Sequence, residues 1–78
     1  MIVTVVGIAR KMTEGEYQGF QYKNRSLYVR YTVSGIEGEV AERFKIPDHV
    51  SDLSGVHVGD NVNVEFNRFG KVVSVSVT

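Results

Sequence analysis

At 78 residues without a cysteine, the chain makes one small domain that neither disulfides nor a thiolate metal site can brace. Nine Lys+Arg balance nine Asp+Glu, which excludes the strongly basic composition of a tight polyanion binder. The charges are unevenly spread, however: residues 1–35 hold five cations against two acids, and residues 36–60 two against six, so one basic face on a neutral protein is expected.

Ile2 to Ala9 is almost continuously apolar and rich in β-branched residues, which predicts a strand buried on both faces, with a bulge or bend at Gly7. The opening MIVTVVGIARK is apolar before it is basic, the reverse of a secretory signal. Its apolar run is far shorter than the ~20 residues that span a bilayer. A soluble, cytoplasmic protein with no membrane partner is therefore expected.

Arg10 to Arg25 lacks clean periodicity and contains Gly15 and Gly19, so it reads as a long hairpin loop or wing with loosely paired arms. Ser26 to Val33 alternates: Leu27, Val29, Tyr31 and Val33 point one way, Tyr28, Arg30 and Thr32 the other. Ser34 to Gly38 is a turn. Glu39 to Ile46 forms the third strand, with Val40, Phe44 and Ile46 inward and Arg43 and Lys45 outward. Glu42 falls on the inner face by strict alternation, which predicts a bulge near Ala41 or a strand end beyond the core.

Pro47 ends that strand. Asp48 to Gly59 then mixes turn formers with Val50, Leu53, Val56 and Val58, a pattern for a plug closing one end of a barrel, with a helical turn over 48–53. Asn61 to Phe66 is a fourth strand with Val62, Val64 and Phe66 inward. Asn67 to Gly70 is a tight hairpin, and Val73 to Val77 is the last strand. Residues 1–78 thus make a single all-β domain: a small five-stranded antiparallel Greek-key barrel of OB-fold type. An SH3-like barrel is the main competitor, but it has no need of a plug between its third and fourth strands.

Catalysis has little support, and no enzyme, cofactor or small-molecule substrate is expected. The serines are scattered, and His49 and His57 with Asp48 and Asp52 match no metal-ligand spacing. Asn24-Arg25-Ser26 fits a glycosylation acceptor, a pattern common by chance. The informative stretch is Tyr17 to Lys45. It interleaves Tyr17, Phe20, Tyr22 and Tyr28 with Lys23, Arg25, Arg30, Arg43 and Lys45. Aromatics that stack bases, set among cations that neutralise phosphates, are what single-stranded nucleic acid requires. In OB folds that ligand crosses the second and third strands and is gripped by the flanking loops.

The Met-Ile start, the basic aromatic wing after the first strand, and the stretch from Gly55-Val56-His57 to Asn67-Arg68-Phe69-Gly70 resemble the small single-stranded-DNA-binding proteins of filamentous phages, other phages and conjugative elements. The resemblance covers most of the chain in order and size. It implies DNA binding by Tyr17, Phe20, Tyr22, Lys23 and Arg25, and a homodimer in which Phe69 of the second subunit completes the site. Two alternatives stay open on the residues alone. One is a protein-interaction module using the same tyrosines as anchors. The other is an RNA-binding barrel.

Overall fold

The computed structural model describes every residue from Met1 to Thr78. Six strands form: β1 (Ile2–Ile8), β2 (Thr13–Tyr17), β3 (Phe20–Tyr31), β4 (Val40–Pro47), β5 (Asn61–Phe66) and β6 (Val72–Val77). All pairings are antiparallel. There is no helix, and so none long and apolar enough to cross a membrane.

The twelve residues of β3 organise the sheet. One edge bonds first to β2 (Phe20–Asn24) and then to β1 (Leu27–Arg30), while the other bonds to β4 over Asn24–Tyr31. β5 pairs with the far edge of β1, and β6 with β5. The barrel path is therefore β4-β3-β1-β5-β6, the OB-type order, with β2 extending the sheet as a wing. β4 and β6 lie at the two ends of this path. They approach each other, and Phe44 meets Phe66 edge-to-face at 5.2 Å, but no ladder joins the strands. The fold is a half-barrel with an open seam.

Alternation sets the core. Val3 and Val5, Leu27 and Val29, Phe44 and Ile46, and Val62 and Val64 are all buried, joined by Val72 and by Leu53 and Val56 from the plug. The plug opens with a single turn, in which the Val50 and Ser51 amides donate to the Pro47 carbonyl at 2.9 and 3.2 Å, and it does not continue into a helix toward Leu53. Leu53 there adopts φ 61°, an uncommon backbone for a branched residue, and its side chain is fully buried. Arg10 holds this segment in place by donating from its guanidinium to the Leu53 and Val56 carbonyls at 2.6 and 2.7 Å.

Several expectations are corrected. β1 is buried on one face only, because β3 and β5 flank it and nothing covers its outer side: Ile2 is 62% exposed and Val6 47%. The register does shift between Val5 and Gly7, as the glycine suggested. The wing is a hairpin, as expected, but its arms form a regular ladder and are not loosely paired. Thr13–Tyr17 pair in register with Asn24–Phe20 around a two-residue turn in which Gln18 and Gly19 both have positive φ, the turn whose twist matches paired strands. β3 consequently begins at Phe20 instead of Ser26, and it ends at Tyr31, leaving Thr32 and Val33 outside. No bulge relieves Glu42, which pairs opposite Val29. Instead this end of β4 projects beyond the core, as the alternative expectation had it: Ala41, Glu42 and Arg43 are exposed, and the carboxylate accepts a hydrogen bond from the Tyr31 hydroxyl. Phe66 keeps the inward parity of Val62 and Val64 and packs on Phe44, but it lies at the open seam and is 37% exposed. The extra residue of the register shift is in β6, where Val73 turns out and Val72 comes in.

Candidate nucleic-acid interface

Side-chain parity decides which candidates act together. Leu27 and Val29 point into the barrel, so the even-numbered residues of β3, namely Phe20, Tyr22, Tyr28 and Arg30, share the outer face. Cross-strand partners share a face, which adds Tyr17 (opposite Phe20), Arg43 (opposite Tyr28) and Lys45 (opposite Ser26). Seven of the ten predicted site residues thus lie on one side of a continuous ribbon. From Phe20 to Arg30 it spans roughly 33 Å at the usual rise per residue.

The rings are presented rather than packed away. Phe20 is 79% exposed, and Tyr17, Tyr22 and Tyr28 are also exposed. Two glycines seat them. Tyr22 lies directly over its cross-strand partner Gly15, where an added methyl group would overlap the ring and hydroxyl. Tyr28 sits beside its partner Gly7, with room for a methyl group at ordinary contact, 3.4–3.7 Å. Each ring is supported by a glycine on one side and still has close to half of its surface exposed, at 45% for Tyr22 and 43% for Tyr28. The role of Gly7 and Gly15 as seats went unread in the sequence. The signal was a glycine at strand parity opposite a tyrosine, but it can be found only once the register is known.

Of the cations on this face, Arg43 and Lys45 form no ion pair, and Arg30 is shared loosely with Glu39 at 3.6 Å between exposed groups. The other three candidates stand apart. Arg25 has inner parity and binds Asp48 at 2.6 Å, with its Nε 3.4 Å from the Arg10 carbonyl, so it ties the wing to the plug. Lys23 also has inner parity, opposite Glu14. Phe69 is 72% exposed at the tip of the β5–β6 hairpin, its ring capped by the Arg68 guanidinium at 4.9 Å. That hairpin stands across the open seam from β4. Asn67 shapes it by accepting from the Phe69 and Lys71 amides with its side-chain oxygen, at 2.9 and 3.0 Å.

No group of three or more His, Cys, Asp or Glu is placed to hold a metal ion. His57 lies 3.9 Å from Asp60, and the Ser54 amide bonded to Asp52 holds that carboxyl below its usual range. Both interactions belong to the turns of the plug. Comparison with known proteins finds no matching family model, no matching curated protein and no matching solved structure.

Proposed function

We propose that the protein binds single-stranded DNA without sequence preference, through its wing and the outer face of β3 and β4, and that it does so as a homodimer. One observation carries the reading: Tyr17, Phe20, Tyr22 and Tyr28 share a face with Arg30, Arg43 and Lys45. Four exposed rings in a row are costly to leave in water unless something stacks on them. The cations gather around Tyr28, where they can neutralise the phosphates of a strand whose bases stack along the rings, and an apolar partner would have no use for them. Stacking and phosphate contact, neither of which reads sequence, set the affinity. Phe69, displayed away from this face, is available to a second copy's site.

With four tyrosines and no tryptophan, the protein's emission reports on the site directly. Titration with oligo-dT is expected to quench it. Tyr28→Ala should weaken binding by roughly 1–3 kcal/mol while leaving thermal unfolding nearly unchanged. Tyr31→Ala should do the reverse, because Tyr31 has inner parity and packs against the core. Absence of quenching at low salt would refute the reading. A matched oligo-U titration compares RNA with DNA, and sedimentation with and without oligo-dT tests the dimer.

A further inference from the structure

The open seam is lined in a way that the outer face does not explain. A groove of about 870 Å³ runs along the unpaired edge of β4 and is walled on its far side by the β5–β6 hairpin. Its apolar part is made by Phe44, Phe66 and Val72, with Tyr22 at the wing end. Lys23, Arg43, Lys45 and Lys71 line it, and none of them is in an ion pair. The two acids at the groove are already engaged, Glu42 by the Tyr31 hydroxyl and Asp48 by Arg25. The groove is therefore apolar at its base, cationic at its rim and open along a strand edge.

An edge strand directs every second N–H and C=O away from its partner, and these groups template another strand. β4 has eight residues and a ladder on one side only. Self-pairing is the first occupant to consider. In an antiparallel β4–β4 contact that continues the sheet, outer-face residues meet outer-face residues. The outer row of β4 is Ala41, Arg43 and Lys45, so cations would face cations across the two-fold axis. A second copy is thus repelled from this edge, and an acidic strand is attracted to it.

We propose that the seam is a docking site for an acidic, extended peptide segment of a partner protein, which adds as a strand to the free edge of β4. Alternate apolar side chains of the segment rest on Phe44 and Phe66, while its carboxylates face the lysines and Arg43. Backbone bonding supplies the affinity, and the cationic rim selects for acid. The groove shares Tyr22, Arg43 and Lys45 with the nucleic-acid face, so peptide and DNA would compete for those residues, but Phe44, Phe66, Val72 and Lys71 belong to the groove alone and tell the two sites apart.

The test uses the full chain and a fluorescein-labelled heptapeptide alternating Asp with Ile and Phe. Its controls are the same peptide with Lys for Asp, and one N-methylated at alternate amides. The acidic peptide should bind and should protect β4 amides from hydrogen exchange, and both controls should fail. Lys71→Glu should weaken the acidic peptide roughly fivefold, as for one reversed exposed charge, and leave oligo-dT affinity unchanged. Tyr28→Ala should show the opposite selectivity. If the N-methylated peptide binds as well as its parent, no strand is added and the proposal fails. If Lys71→Glu weakens oligo-dT and not the peptide, the groove belongs to the nucleic-acid path and the proposal fails while the DNA reading stands. If the peptide binds and oligo-dT does not, the DNA reading fails instead.

Discussion

Two glycine–tyrosine pairs look alike in the register but differ in how tightly the ring sits. At Gly15 an added methyl group and the Tyr22 ring cannot coexist. The clash is with the far end of a side chain and not with backbone, so the ring swings away and the fold survives. At Gly7 the methyl group meets Tyr28 at ordinary distance. Neither glycine has a positive φ, so alanine is not strained at either site. Gly15→Ala is therefore expected to lower oligo-dT affinity by roughly the worth of one stacked base, about 1–3 kcal/mol, with little loss of stability. Gly7→Ala should change neither quantity much. Equal affinity for the two variants would show that Tyr22 does not need its seat to bind. At this scale the sequence was only partly informative. Alternation placed Tyr28 outward and Tyr31 inward, but no local pattern distinguishes a glycine that bends a strand from one that supports a ring on its neighbour.

Among the elements, those with strict period-two patterning were readable and those without it were not. β4 and β5 have nearly the predicted bounds, because Pro47 stops one and the Gly59-Asp60 turn starts the other. In the wing the charges Glu14, Glu16, Lys23 and Arg25 share one face and the rings Tyr17, Phe20 and Tyr22 the other, but neither face carries aliphatic residues, so the alternation does not read as a half-buried strand and β3 is expected too short. The plug was recognisable from Leu53 and Val56, but what fastens it was not. Arg10 entered the sequence reading only as a charge, since its partners are carbonyls more than forty residues away. These two bonds hold a segment whose Leu53 is kept at positive φ by its surroundings. Arg10→Ala should thus cost about 2–3 kcal/mol, as for the loss of charged hydrogen bonds to partly buried acceptors. It should also raise hydrogen exchange in residues 51–56 before the strands open. A loss below about 0.5 kcal/mol, within the range of ordinary surface substitutions, would mean that the plug is held by its apolar side chains alone.

For the molecule as a whole, the neutral total charge and the asymmetric charge pattern are reconciled by where the cations are committed. Arg10 and Arg25 are bound to the plug, and Lys23 has inner parity, so the outer face retains Arg30, Arg43 and Lys45. Counting all five candidate cations from the wing to β4 implies a salt slope steeper than −3, at about −0.7 per phosphate contact on a single strand. Counting only the outer face implies about −2. A plot of log affinity for oligo-dT against log salt should therefore have a slope near −2. Arg43→Ala should flatten it by about 0.7, whereas Arg25→Ala should leave it unchanged and lower stability instead, because that substitution strands Asp48 and unties the wing from the plug. Arg30→Ala should have a smaller effect on affinity than Arg43→Ala, since Glu39 already competes for its guanidinium. A slope steeper than −3 that drops with Arg25→Ala would mean that the wing rotates on binding to bring its inner-parity cations onto the strand. The DNA would then wrap the wing instead of crossing one face of it.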